Sequence, residues 1–451
     1  MKLSLSAIAA AVKGRLIGAD TQVTGVSTDS RTIAPGQLFV ALKGDNFDGH
    51  DYVEQVLGLG AAAAMVSQPP LSARGSLIVV DDTLAALGRL AAHYRQQQTA
   101  RVVGITGTNG KTTVKELTAA ILATAGPTHK TSGNLNNLIG APLTLFGIEA
   151  ATRYAVIEMG TNQPGEIASL TAMVRPDVAV LTNVGPGHLE GLGSLAGVLQ
   201  EKQTIFDGVP AGGWAVYNPT AASVQGIKIP AGLKTLTFSL DGATDVRLRR
   251  MISEDLSGSR FEADLAGSLT ELDITVPGRH NVLNALAAAA AGLSLGLKPE
   301  NIASGLPQAV FPGKRTEILS RGGLTIINDC YNAAPASMQA ALELLRTSPK
   351  PRVAVLGDMR ELGEQAASLH AELGQRAAEA GLSRLIATGE WAEVVAQAAV
   401  KAGLPAERVA VIQELDQIAT ELKGLSEACI LIKASRALKL ELLVNQIMAE
   451  A

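Results

Sequence analysis

Short apolar runs alternate with stretches of helical periodicity along most of the chain, and this alternation predicts α/β architecture. In residues 1–82 the runs Leu38–Leu42, Ala61–Val66 and Leu77–Val80 read as strands among helix-like segments, a small α/β unit. Leu3–Val12 could pass for the core of a secretory signal. Only Lys2 precedes it, however, and no cleavage site follows before Lys13 and Arg15. A helix over Ala7–Val12 capped by Ser6 is the expectation. Gly58-Leu59-Gly60-Ala61-Ala62-Ala63 formally fits a dinucleotide fingerprint. It follows a helical run, Tyr52–Leu57, and precedes a strand, so a helix C-cap is expected instead.

Residues 83–310 form a second block. Val102–Thr106 reads as a buried strand, Gly107–Gly110 as a loop and Lys111–Ala125 as a helix. Tyr154–Glu158 and Val178–Asn183 are further strands around a helix at Pro164–Val174, the rhythm of a parallel sheet. Between 212 and 277 the pattern turns partly alternating. Thr235–Leu240, Ser259–Leu265 and Leu269–Val276 predict an antiparallel appendage, followed by an Ala-rich buried helix at 281–297. Residues 311–451 repeat strand and helix five times, with strands at Leu324–Asn328, Arg352–Leu356, Arg384–Thr388, Arg408–Ile412 and Cys429–Lys433 and helices such as Ser337–Leu345. That predicts a doubly wound, Rossmann-like sheet with polar residues crowding its strand ends, where ligands bind in such sheets.

Composition narrows the function classes. Lys and Arg total 38 against 42 Asp and Glu, a net charge of −4, which argues against holding nucleic acid by bulk charge. Aromatics at 3% leave little for base-stacking platforms. Hydrophobic residues at 47% exclude a disordered chain. Two cysteines, Cys330 and Cys429, are too few for a disulfide framework or a Cys-rich zinc site. The longest apolar stretch, Asn281–Leu297, falls short of the roughly 20 residues of a membrane span. A cytoplasmic protein without a transmembrane segment, taken as a monomer, is expected.

The chemistry concentrates after the second-block strands. Gly104-Ile-Thr-Gly107-Thr108-Asn109-Gly110-Lys111-Thr112-Thr113 lies between a strand and a helix, the context of a phosphate-binding loop. Backbone N–H groups would cradle phosphate oxygens, Lys111 would meet the outer phosphates and the Thr112 hydroxyl would ligate Mg²⁺. Five residues rather than four separate Gly104 from Gly110, a departure from the standard spacing. Glu158 closes an apolar strand, where burial favours a cation partner and hence a metal role. His188 follows the next strand in Thr182–Glu190, and Lys202 lies fourteen residues further on.

Together these segments resemble the Mur ligases of peptidoglycan synthesis, over essentially the whole chain. The resemblance extends to Thr28-Asp29-Ser30-Arg31, Phe39–Gly44 with Asp48-Gly49-His50, Asn134-Leu-Asn136-Asn137, His280-Asn281-Val-Leu-Asn284, Arg315, Asp329-Cys-Tyr331-Asn332, Leu356–Gly363 with Asp358 and Glu361, and Lys433-Ala-Ser435-Arg436. Within the family these segments are most similar to the members that add D-alanyl-D-alanine. The Asp-Asn-Pro-Arg motif of the members that add the third residue is absent. So is the N-terminal glycine motif of those that add L-alanine. Ala334 and Ala434 depart from the usual Asn and Gly.

The resemblance implies three domains, at 1–82, 83–310 and 311–451: a uridine-nucleotide domain, an ATP-binding centre and a Rossmann-like domain. It implies ATP-dependent joining of D-alanyl-D-alanine to UDP-N-acetylmuramoyl-tripeptide through an acyl phosphate. Lys111, Glu158, His188, Lys202 and Arg315 would be catalytic. Thr112 and Glu158 would hold one Mg²⁺. His188 and a carbamylated Lys202 would serve a second. Asn281 and Asn284 would lie near adenine, Asp329 at the ribose, with Asn332 close by. Ser30, Arg31, Asp48, Asn134, Asn136, Asn137, Asp358, Lys433 and Ser435 would meet the acceptor and the dipeptide. Loop hinges at 82–100 and 307–314, with Pro307, Pro312 and Gly313, would let the domains close. Three other readings share the loop: a ligase adding the third residue, a folate polyglutamylase, and an ATP-switched binding protein. The first domain distinguishes the folate enzymes, and amine-dependent ADP release distinguishes the switch.

Overall fold

The computed structural model describes residues 2–70, 75–311, 313 and 315–449. Among the described residues three large sheets carry the fold, beside a two-stranded pairing of Leu3–Ser4 with Gln22–Val23. In the first, strands Arg15–Ile17, Leu77–Val79, Ala63–Val66, Gln37–Val40 and Gly25–Ser27 lie in that spatial order, parallel except for the antiparallel edge Arg15–Ile17. Helix Leu5–Val12 buries Leu5, Ile8 and Val12 against this sheet. Its cap is Ser4, not Ser6. Ser4 is extended and its Oγ accepts the Ala7 N–H at 3.2 Å, while the Ser6 hydroxyl is drawn to Asp20 at 2.5 Å. Gly58 ends helix Val53–Gly58, and Gly60 takes φ +94° before the strand, as expected of a C-cap.

The central sheet has nine strands, ordered Ser268–Ile274, Gly258–Leu265, Val246–Asp255, Lys234–Ser239, Trp214–Tyr217, Val178–Leu181, Arg101–Thr106, Tyr154–Glu158 and Thr128–Lys130. The stretch expected as an antiparallel appendage divides. Strand Lys234–Ser239 is parallel, paired with Trp214–Tyr217 from Trp214↔Lys234 onward. Its pattern arises because its first half stays exposed while its second half is buried, not because it turns back. Only the hairpin strands beyond are antiparallel. Strand Val246–Asp255 was not predicted, since its Arg-rich run is largely solvent-facing. Helix Arg279–Ser294 lies against this sheet and helix Lys111–Ala123, burying Ala285–Ala291. Small side chains permit the approach: a Cβ on Gly292 would sit 3.0 Å from Ile121 Cγ2.

The third sheet runs Glu317–Arg321, Leu324–Asn328, Ala428–Lys433, Arg352–Leu356, Arg384–Ala387 and Val409–Val411. Five strands are parallel, as the strand–helix repeat predicted. Glu317–Arg321 adds an antiparallel edge that the repeat does not reveal. The first expected hinge loop is instead largely helix, Thr83–Gln96. It gives Ala86, Leu87 and Leu90 to the first core and Ala91 to the central one, so it splints the two sheets. At the second hinge Pro307 lies in a short 3-10 turn and Gly313 is exposed, while Pro312 lies outside the described residues. No helix among the described residues is long and apolar enough to cross a membrane.

Candidate active site

The loop after strand Arg101–Thr106 is shaped by two glycines. Gly107 takes φ +153° and Gly110 φ +78°. A Cβ would meet Thr182 Oγ1 at 1.9 Å from Gly107, and Asn284 Oδ1 at 2.4 Å from Gly110. Side chains from the neighbouring strand end brace the loop. The Asn109 N–H donates to Asn183 Oδ1 at 2.9 Å, and Asn183 Nδ2 donates to the Asn109 carbonyl at 3.0 Å. The Thr108 hydroxyl donates to the Gly185 carbonyl at 3.2 Å. Lys111 folds over the loop, its Nζ donating to the carbonyls of Gly107 (2.8 Å) and Thr108 (3.2 Å). Burial lowers the pKa of Lys111, Arg315 adds to the effect, and Glu158 opposes it. Thr113 is half-buried in the first helical turn.

Glu158 lies directly beneath. Strands Tyr154–Glu158 and Arg101–Thr106 are parallel in register, Glu158 opposite Ile105, which brings the carboxylate under the loop. The Thr112 hydroxyl donates to Glu158 Oε2 at 3.0 Å, and Asn136 Nδ2 donates to Oε1 at 2.8 Å. Lys115, 1% exposed, lies 3.9 Å from Oε2, 3.0 Å from Glu116 and 2.9 Å from the Thr131 carbonyl. Sequence reasoning passed over Lys115 and Thr131. A lysine one turn after Lys111, inside the buried stripe of an apolar helix, was the available signal.

His188 follows the next strand end, before the short helix Leu189–Leu192, and Lys202 lies near the end of helix Leu195–Gln203. His188 sits at φ +55°, and its Nδ1 pairs with Glu361 of the third sheet's domain. That hydrogen bond lowers the pKa of Glu361, with burial opposing. Lys202 is 0% exposed, and among the described residues its Nζ has no hydrogen-bond partner. Desolvation holds its pKa well below the ordinary lysine value, with nearby Lys111 adding and Glu201 opposing. Glu201 is occupied elsewhere. It accepts the N–H groups of Gly165 (2.7 Å) and Ile167 (2.8 Å) at the start of helix Glu166–Val174.

Asn281 and Asn284 are buried beside Gly110. Asn284 Nδ2 donates to Asn281 Oδ1 at 3.0 Å, and Asn281 Nδ2 to the Pro277 carbonyl at 2.7 Å. His280, one residue earlier, has its pKa lowered by burial; nearby Lys433 adds to this, while Asp329 opposes it. Those two charges belong to the third sheet, where Lys433 pairs with Asp329 Oδ2 at 2.5 Å and donates to the Asn332 carbonyl at 2.9 Å. Arg315 lies over the Tyr331 ring, 3.9 Å from its centroid. The described residues therefore bring the loop, Glu158, His188, Lys202, Asn281, Asn284, Arg315, Asp329 and Lys433 to the junction of the central and third sheets.

Other expected ligand residues have internal partners. Asp358 is buried, and its two oxygens accept the Glu390 and Trp391 N–H groups, each at 3.0 Å, just before helix Ala392–Lys401. Ser435 Oγ accepts the Arg360 N–H at 3.0 Å. Asp48 accepts the His50 N–H at 3.0 Å and faces His50 Nδ1 at 2.6 Å, which brings its pKa down to about 2. Arg31 grips Asp29 with two bonds of 2.9 and 2.7 Å, beside half-buried Ser30. Asn137 Oδ1 accepts N–H groups from Ile139 and Gly140, while Asn134 is exposed.

Comparison with known proteins agrees with this geometry. Residues 22–95 match the Mur ligase family catalytic domain, 105–292 the Mur ligase middle domain, and 314–436 the Mur ligase glutamate ligase domain. The chain is 38% identical to the UDP-N-acetylmuramoyl-tripeptide–D-alanyl-D-alanine ligase of Escherichia coli strain K12, covering 99% of this chain and 98% of that one. A crystal structure of MurF from Acinetobacter baumannii superposes with a TM-score of 0.93 at 31% identity, covering 100% and 99% of the two chains. MurF from Thermotoga maritima, solved in complex with ADP, gives 0.84 at 28% identity, covering 94% and 97%. On this full-length likeness, with the phosphate loop built as described, the chain belongs to the Mur ligase family.

Proposed function

We propose that this ligase joins D-alanyl-D-alanine to UDP-N-acetylmuramoyl-tripeptide, using ATP and releasing ADP and phosphate. The observation that carries the reading is the convergence of Lys111, Thr112, Glu158, Lys202 and Arg315 on one junction, in a chain aligned end to end with a ligase of that name. A carboxylate and an amine do not condense unaided in water. The acceptor carboxylate attacks the γ-phosphorus, ADP leaves, and an acyl phosphate forms. The dipeptide amine then attacks the acyl carbon, loses a proton, and phosphate departs. Two anions must meet in the first step, and Lys111 and Arg315 supply fixed positive charge where they approach.

The residues fit Mg²⁺. Thr112 and Glu158 offer a hydroxyl and a carboxylate 3.0 Å apart. His188 and Lys202 would serve a second ion. An ammonium cannot ligate, but Lys202 is a sealed amine without a hydrogen-bond partner among the described residues, held toward its neutral form by burial. Addition of its nitrogen to CO₂ forms an N–C bond, releases one proton and leaves a carbamate anion. When bound, Mg²⁺ screens phosphate charge. Asn281, Asn284 and Asp329 would hold the nucleoside, with Asn332 beside them. Ser30 and Arg31 would meet the uridine nucleotide, with Asp48 shaping that domain. Asn134, Asn136 and Asn137 would meet the sugar-peptide. Lys433 and Ser435, with Asp358 ordering their loop, would face the dipeptide. The reading includes domains at 1–82, 83–310 and 311–451 and a cytoplasmic monomer.

The test is an end-point reaction with ATP, Mg²⁺, UDP-N-acetylmuramoyl-tripeptide and D-alanyl-D-alanine, followed by mass spectrometry and phosphate release. A product heavier by one dipeptide less water, with phosphate formed only when both substrates are present, is expected. Ligation only to a UDP-N-acetylmuramoyl-dipeptide or a folate with a single amino acid would reassign the substrates. Phosphate release without an adduct would favour the ATP-switched reading.

A further inference from the structure

We propose that Tyr331 is a positioning residue for Arg315, holding the guanidinium flat against its ring so that the full arginine charge faces the transferring phosphate. The inference rests on the ATP-dependent reading above. Arg315 Cζ lies 3.9 Å from the Tyr331 ring centroid, well inside the range of a cation–π contact. Sheet register creates the pair. Glu317 lies opposite Asn328 in an antiparallel hairpin, so the residues before Glu317 run beside those after Asn328. The backbone there is clamped on both sides. Thr316 sits at φ +51° and its N–H donates to Asp329 Oδ1 at 3.1 Å, while Lys433 holds Asp329 Oδ2.

The choice of an aromatic partner has a physical consequence. A carboxylate could hold an arginine equally still, but it would cancel the charge needed at a phosphate. A ring face restrains the guanidinium and leaves its N–H edge and its charge free. Among the described residues no carboxylate forms an ion pair with Arg315. Burial is the main cause of the lowered Lys111 pKa, and the Arg315 charge adds to it across the junction.

The experiment compares Tyr331→Leu, Tyr331→Phe, Arg315→Ala and the double variant Tyr331→Leu/Arg315→Ala. The first readout is calorimetric affinity for a non-hydrolysable ATP analogue relative to ADP, which does not require turnover. The second is kcat against KM for ATP in the ligase reaction. Tyr331→Leu is expected to lower the analogue-to-ADP ratio and kcat about three- to thirtyfold. Tyr331→Phe should restore both to within about twofold, because the ring face is retained. In the Arg315→Ala background Tyr331→Leu should change the ratio by less than about twofold. A loss that persists in that background, or an equal loss in Tyr331→Phe, would overturn the proposal: the ring would then act on the nucleotide or the fold directly. An inactive wild type whose affinity ratios still follow the expected pattern would refute the substrate reading and leave the Tyr331–Arg315 coupling standing.

Discussion

Replacing Lys202 by methionine should separate stability from function. The Nζ is sealed from solvent without a hydrogen-bond partner among the described residues, and burial disfavours its charged form. Leaving such a group unsatisfied costs about 1–3 kcal/mol. Methionine has similar length and volume, so repacking should cost less than about 1.5 kcal/mol. In CO₂-depleted buffer the variant should therefore be as stable as the wild type or up to about 2 kcal/mol more stable. For a domain of this size that raises Tm by up to about 8 °C. Ligase activity should fall at least about a hundredfold, because methionine cannot become a carbamate. Added bicarbonate with Mg²⁺ should raise the wild-type Tm and leave that of the variant unchanged. Differential scanning calorimetry and the phosphate-release assay read both effects. A Tm lowered by more than about 4 °C would show that the amine is satisfied in the folded protein. Activity within tenfold of wild type would show that its nitrogen has no part in the chemistry.

Lys115→Met removes one partner from a buried charge cluster and should cost about 3–5 kcal/mol, read as a lower urea midpoint; a shift equivalent to less than 1 kcal/mol would mean that Glu116 and Glu158 do not depend on it. Asp358→Asn cannot accept both N–H groups with equal oxygens and should lose about 1–2 kcal/mol, so an unchanged melt would free this carboxylate for a substrate role. His370 is buried and neutral, accepting the Met359 N–H at Nε2 (2.9 Å) and lying 2.7 Å from the Ala366 carbonyl at Nδ1, and burial lowers its pKa. Below about pH 6.5 the unfolded chain binds a proton there that the native protein refuses, so stability should be complete above that pH and decline as pH falls toward 5. A His370→Gln variant with an equally steep decline would assign the loss to other groups.

Much of the fold was legible because buried parallel strands announce themselves. Tyr154–Glu158, Leu324–Asn328 and Arg352–Leu356 coincide with their apolar runs, since both faces are covered along most of their length and polar residues are left to the strand ends and partly covered positions. Strands with a solvent-facing side were illegible for the opposite reason. Val246–Asp255 and Glu317–Arg321 carry polar faces to solvent, and their pairing compensates for composition. The parallel direction of Lys234–Ser239 was equally hidden, because alternation reports exposure and not orientation.

The site divides along the same line. Sequence alone determined the phosphate loop, Glu158 at its strand end and the family, because local spacing and backbone geometry dictate them. Gly107 and Gly110 are required by contacts that only their own conformations allow. Only the tertiary structure decided which groups share charge. It buried Lys202 without a hydrogen-bond partner among the described residues, placed Lys115 beside Glu158, gave Asp358 to a helix start, turned most of the expected hinge at 82–100 into the helical splint Thr83–Gln96, and set Arg315 on Tyr331. Each depends on segments distant in sequence meeting in a low-dielectric interior, where a charge's state is set by its neighbours rather than by its residue type.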